Sequence, residues 1–424
     1  MNQDLCYCDG RGGLDRKAPT VSRRGFLAGA IGALGLSSAL GEIVVDPNRS
    51  RNDVLVVVFL RGGADGLSLV APYAEDNYYR ARPTLAARKP GREANTLLDL
   101  NGFFGLNPAL SALMPYYEDK SMAIVHATGS LDESRSHFEA MSAMERGRAR
   151  ATDGEGGGWL ARHLAVTPGA SSPFRAVAFD AMLPESLTGA SSAMAIENID
   201  SFRLQNDEDQ AYRKALAALY AEGGDPFAKS GRETLRLLDV LREKGASTPE
   251  TRTGVAYAEN GFAQALRQVS FLIKQDIGLE IACVSSYGWD THVAQGTNEG
   301  WLPTLLRDLG NGLDAFMKDL GPETKRVTVV VQTEFGRRVD ENSGFGTDHG
   351  RGGALFALGA GVQGGKVFGE WPGLSKGILE GPGDLPVTTD YRNVLAEMLE
   401  RRLGNQQTAQ VFPNHRLQPI GIIA

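Results

Sequence analysis

The chain has 424 residues, 42% of them hydrophobic and 22% charged, enough for one large core or two domains. Its 44 basic and 51 acidic residues leave a formal charge of −7, which excludes nucleic acid as a general partner because no basic surplus exists to neutralise phosphates. Three cysteines are too few for a disulfide framework, so packing must hold the fold.

The first forty residues read as an address. Ser22-Arg23-Arg24-Gly25-Phe26-Leu27 leads into an uncharged stretch rich in Gly and Ala, and Ala39 and Gly41 offer a small-residue cleavage site. The motif resembles a twin-arginine export signal over residues 1–41, which implies the export machinery as a partner and a periplasmic or secreted destination. The stretch is too short and too weakly apolar for a membrane span, so none is expected after processing. Cleavage removes Cys6 and Cys8 and leaves Cys283, a small core residue within Ile281-Ala-Cys-Val284.

Residues 53–60 form a continuous apolar, β-branched run, the mark of a strand buried on both faces. Similar runs follow at 122–126, 176–179, 279–284, 327–331 and 354–358. Between several of them lie helical patterns. Leu305, Leu306, Leu309, Leu313, Phe316 and Leu320 recur at three- and four-residue steps, and 393–403 reads as a C-terminal helix ending at Gly404. Three helical stretches in succession, 207–222, 231–243 and 256–274, break this alternation and predict a helical insertion over about 201–275. The expected fold is therefore α/β: a single domain over 53–424, a three-layer sandwich with a mostly parallel central sheet.

Ligands of such sheets bind beyond the carboxyl ends of the strands. Four polar groups fall on that predicted edge. They are Asp65 in Arg61-Gly-Gly-Ala-Asp65-Gly66, Ser134-Arg135-Ser136-His137, Asp290 with His292, and Glu334 and Arg337 followed by Asp348-His349. Aspartate and histidine on glycine-flanked loops suit a divalent cation, and each pair alone is equally a hydrogen-bonded turn. Ser136 has capping-box spacing to Glu139, which places its hydroxyl at the positive end of a helix dipole, whether as a cap or as a nucleophile, with Ser134 as the alternative. Arg135 could pair with phosphate or sulfate oxygens, or be solvated. Glu334 and Arg337 form either a structural ion pair or a carboxylate behind the metal with an anion-binding arginine.

Of the other histidines, His126 sits in an apolar run and reads as a core residue, and His163 reads as an ordinary helix residue. His137 and His415 could each complete a metal shell. No H-E-x-x-H occurs, and Gly364-Gly365-Lys366-Val367 only approaches a P-loop.

Five ordered blocks, Arg61–Gly66, Ser134–Phe138, Gly288–His292, Thr333–Arg337 and Gly346–Gly350, resemble the bacterial family called domain of unknown function 1501 over about 53–415. That family is similar to the alkaline phosphatase and sulfatase superfamily. The resemblance implies Asp65, Asp290, His292, Asp348 and His349 as ligands of one or two divalent ions, with Zn, Mn or Fe favoured over Ca. It further implies Ser136 as nucleophile toward an anionic phosphate or sulfate ester, or a polysaccharide carrying one. Asp290 and His292 stand two apart where the superfamily has four, and a late histidine has no clear counterpart. The alternative is a non-catalytic envelope or extracellular binding protein that keeps the fold.

Overall fold

The computed structural model describes residues 53–424, apart from 155, 168–173, 192, 200, 201, 203, 205–209, 222–225 and 244–250. The expected export segment, with Cys6 and Cys8, lies outside the described residues, as does part of the expected insertion.

All six apolar runs are strands of one nine-stranded sheet. In chain order its strands are β1 (Val54–Arg61), β2 (Met122–Gly129), β3 (Ala176–Phe179), β4 (Ala193–Ala195), β5 (Ile281–Tyr287), β6 (Val327–Thr333), β7 (Gly353–Gly359), β8 (Val367–Phe368) and β9 (Thr389–Asp390). They lie in the order β8-β2-β7-β6-β1-β5-β3-β4, with β9 also paired to β2. Every ladder is parallel except the two that β7 makes, with β2 and with β6. The sheet is thus mixed and mostly parallel.

Alternation along β1 shows why the run had to be apolar throughout. Val54, Val56, Val58 and Leu60 enter one core, and Leu55, Val57 and Phe59 enter the other. The first core is closed by helices Gly261–Lys274 and Trp301–Leu320, through Leu266, Val269 and Leu272 and through Leu306, Leu309, Leu313 and Phe316. The second is closed by Trp159–Val166 and Tyr391–Arg401, through Trp159, Leu160 and Leu164 and through Val394, Leu395 and Met398. Helix, sheet and helix make three layers. Cys283 is buried in the second core, where desolvation pushes its thiol up to about 12.

Helices Gln210–Ala221 and Pro226–Glu243 share a small cluster of their own around Tyr220, Leu235 and Leu238, whereas Gly261–Lys274 belongs to the sheet's helical layer. Among the described residues no helix is long and apolar enough to cross a membrane.

Candidate metal centre

The reversed direction of β7 decides where the site forms. Strands β1, β5, β6 and β2 run in one sense, so the loops after them leave at one edge. Because β7 is antiparallel to its neighbours, its first residue returns to that same edge, and Asp348-His349 arrive just before Gly353. The loops pack backbone against backbone. A Cβ on Gly62 (φ +124°) would meet the Asp290 nitrogen at 2.5 Å, and one on Gly346 would meet the His292 carbonyl carbon at 2.3 Å. Glycine is required at both for the loops to approach.

Four side chains converge there. The Nε2 atoms of His292 and His349 lie 2.9 Å apart, and each is 3.1 Å from Oδ1 of Asp290. His137 Nε2 is 3.5 Å from Oδ2 of the same carboxylate. Ligand atoms of His137, Asp290 and His349 all fall within 4.8 Å of one another, the spacing of a cation site. A tetrahedral ion with metal–nitrogen bonds of about 2.0–2.1 Å separates its ligands by about 3.3 Å, within the 2.9–3.5 Å spread of these contacts.

Proton placement strengthens the fit. His349 Nδ1 is 2.9 Å from the Arg135 carbonyl, which can only accept, so the proton sits on Nδ1 and the lone pair of Nε2 faces the cluster. His137 Nδ1 donates in the same way to Glu334 Oε1 at 2.8 Å. The Nδ1 of His292 faces Asp348 Oδ1 at 3.4 Å. Each imidazole is therefore backed by an acceptor, the arrangement that orients metal-bound histidines. His137 Nε2 is buried and has no hydrogen-bond partner at all. A buried nitrogen left unpaired beside a carboxylate and another imidazole is a vacancy in bonding that a cation would satisfy. A donor set of imidazoles and one carboxylate is one that a divalent cation accepts.

The surrounding field is set by named partners. The hydrogen bond to Glu334 holds the His137 pKa above the ordinary imidazole value. Burial lowers that of His349 and outweighs its contact with Asp290. Burial works to raise the Asp290 pKa, yet the hydrogen bond and charge of Arg337 prevail and hold the carboxyl below its usual range. Phe335 packs against the rings of both His137 and His349, with centroids 4.9 Å away.

The structure sorts the residues singled out in the sequence. Asp290, His292 and His349 come together as expected. Asp348 does not join them as a ligand: its Oδ1 backs His292 and accepts from Asn342 at 2.9 Å, while Oδ2 faces Arg338 at 3.2 Å. Adjacent residues on an extended loop point in opposite directions, so only one of the Asp348-His349 pair faces inward.

Asp65 is also placed elsewhere. It is fully buried, with Arg82 on both oxygens at 2.5 and 2.9 Å and further bonds from Ser68 and Gln295. Glu334, expected among the catalytic groups, stands behind His137 and also accepts from the Gly62 nitrogen at 2.9 Å. Arg337 cannot receive an anion. It is buried and donates to Asp290 at 2.6 Å and to the carbonyls of Gly62, Gly63, Trp289 and Thr347. Arg135 turns its guanidinium to the buried carboxylate of Asp384 at 2.6 Å, and offers the site only its carbonyl.

Ser136 occupies the N-cap of helix His137–Glu145, as its spacing predicts, but its side chain makes no cap hydrogen bond. Ser134 Oγ accepts instead from the Ser136 nitrogen at 3.2 Å. His137, which the sequence left undecided, is the first residue of that helix and joins the cluster. His415 is bonded to Asn393 at 2.8 Å, outside the cluster, and His126 and His163 are both buried and hydrogen-bonded.

Comparison with known proteins adds the following. Solved structures similar to this chain include a mutant alkaline phosphatase of the Antarctic bacterium TAB5 with Mg bound, at 10% identity, covering 74% of this chain and 93% of that one with a TM-score of 0.31. A second is Ps i-CgsB in complex with a neocarrahexaose, at 10% identity over 81% and 68% with a TM-score of 0.32. A third is the lipoteichoic acid synthase LtaP of Listeria monocytogenes, at 8% identity over 90% and 78% with a TM-score of 0.33. At such scores the fold stands on its own topology. No curated protein matches the chain. Residues 52–415 match the family described as "Protein of unknown function (DUF1501)", and the chain belongs to that family.

Proposed function

We propose that this chain is a metal-dependent hydrolase of a phosphate or sulfate ester. One observation carries the reading: the unpartnered, buried Nε2 of His137, set beside Asp290 and His349 with each imidazole backed by its own acceptor. A divalent ion held by His137, Asp290, His292 and His349 would supply Lewis acidity toward the ester oxygens. Glu334, Asp348 and the Arg135 carbonyl keep the three imidazole lone pairs aimed at it, and Arg337 keeps the Asp290 carboxylate in place.

Ser136 is the nucleophile in this reading. Its hydroxyl is not spent on capping, and it sits at a helix N-terminus one residue before His137. Ser136 Oγ forms a bond to phosphorus or sulfur as the alcohol departs with a proton, and water then cleaves that bond to release the inorganic anion. Asp290 and His292 are half-exposed, which leaves the cluster open to an ester from solvent. Placement outside the cytoplasm rests on residues 22–41 alone and belongs to the same proposal.

Four protein ligands are also what a purely structural ion takes, and this favours as a second reading a binding protein without turnover. Elemental analysis of the purified chain, with assays on aryl phosphate and aryl sulfate, tests both. Expected are stoichiometric metal lost in His137→Ala, and ester cleavage lost in Ser136→Ala with the metal retained. A metal-loaded chain that cleaves neither ester sinks the hydrolase reading, and a metal-free native chain sinks the centre itself.

A further inference from the structure

Apolar side chains exposed singly are ordinary, and it is their grouping at a site that carries meaning. Here several stand out of the site's own loops. Phe138, Tyr287, Val293, Trp301 and Phe345 are each at least 60% exposed, and Phe138 reaches 85%. Phe138 follows the ligand His137, and Val293 follows the ligand His292. Tyr287 ends β5 just before the Asp290 turn, with its hydroxyl fixed on Asp180 at 2.5 Å. The Trp301 ring lies over Gly288, and its Nε1 donates to the Gly288 carbonyl at 2.7 Å. Phe345 sits in the loop whose Gly344 carbonyl accepts from Ala294 and whose Gly346 abuts the His292 backbone.

A second observation is independent of exposure. Phe345 (φ +57°) and Ala294 (φ +48°) hold left-handed backbone, a costly state for residues with a Cβ and a rare one for a bulky ring. Strain of this kind persists where surrounding contacts impose it, and it concentrates at functional sites. Here it presents an aromatic ring to solvent beside the metal ligands.

We infer that these five side chains receive the apolar part of the ester, so that the substrate class is a phosphate or sulfate ester of an aryl or long-chain alkyl alcohol. The inference rests on the hydrolase reading for its anionic head and adds the identity of the rest. The occupant follows from placement: Phe138, Val293 and Phe345 lie on the loops that carry or abut His137 and His292, and Tyr287 and Trp301 flank the Asp290 turn, beside where an anion at the centre would carry its remainder.

The test is calorimetry on the metal-loaded full chain with 2-phenylethylphosphonate and methylphosphonate, which share a head group and differ only in apolar body. The expected result is about tenfold tighter binding of the phenylethyl compound, the scale of a partly buried ring. That gap should close to within twofold in Trp301→Ala combined with Phe345→Ala, and persist in Trp301→Phe, with retained metal reporting the fold. Equal affinities in the native chain overturn the inference, as does a gap that survives the double substitution. A native dimer that the double substitution dissociates, with ligand preference unmoved, assigns the face to a second copy and also overturns it. Binding of the phosphonates with no turnover of the corresponding phosphate esters would count against the hydrolase reading and leave this inference standing. Turnover with equal affinities would do the reverse.

Discussion

Two sets of polar side chains lie near the carboxyl edge of the same sheet, and they end in opposite states. Beneath the loops, Asp65 has both oxygens taken by Arg82, with Ser68 and Gln295 closing the rest, and His126 has both ring nitrogens bonded, to Val70 and Ala127. Above them, the His137, Asp290, His292 and His349 cluster is also built of acids and imidazoles, yet His137 Nε2 has no hydrogen-bond partner and the Nε2 atoms of His292 and His349 face each other at 2.9 Å. Residue type cannot separate the two sets, because both are built of Asp and His. Saturation separates them: the bonds of Asp65 and His126 are met by protein, whereas His137 Nε2 has no hydrogen-bond partner.

The comparison can be broken where it is strongest. Arg82→Met leaves Asp65 buried and unpaired, and unfolding in denaturant should show a loss of about 3–5 kcal/mol. A loss below about 1 kcal/mol would mean the pair is not closed. Glu334→Gln removes the charged acceptor behind His137, and chelator competition should show metal affinity down by about 10–100-fold with the fold intact.

His126 sharpens the contrast through pH. Burial pushes its pKa down to about 4, so the native state stays neutral where the unfolded chain, near 6.5, takes up a proton. Its contribution is complete above pH 6.5 and is lost as pH falls from there toward 4. Between pH 7 and 5 the native chain should lose about 2 kcal/mol more than His126→Gln does, as measured by denaturant unfolding. Smallest is Phe345→Asn, which eases the left-handed backbone and should raise stability by about 1 kcal/mol while weakening the phenylethylphosphonate contact.

Much of the fold was legible because strands buried on both faces must be apolar throughout, and all six such runs were found. The direction of β7 was not. Residues 334–352 join β6 to β7 without a helix, and a connection with no crossover helix belongs to antiparallel neighbours, a fact hidden in runs of hydrophobic residues that look alike in either direction. Three of the side chains that converge at the site, Asp290, His292 and His349, were singled out from the sequence. Asp65 misled because a Gly-Gly-Ala-Asp-Gly turn has the same local form whether a cation or Arg82, seventeen residues on, meets the carboxylate. His137 stayed undecided because only the fold brings the first residue of its helix against Glu334, 197 residues away.

One contact has a consequence for engineering. The Nδ1 of His349 is bonded to the main-chain oxygen of Arg135, a residue held at φ +54°, where His137 and His292 face carboxylates instead. No single codon change deletes that oxygen; it can only be moved by untwisting the segment, for which the Asp384 anchor on the Arg135 guanidinium is the handle. Retuning the centre by library screening would therefore act readily on His137 and His292 through Glu334 and Asp348, while His349 would keep its tautomer through every substitution that spares the loop's twist.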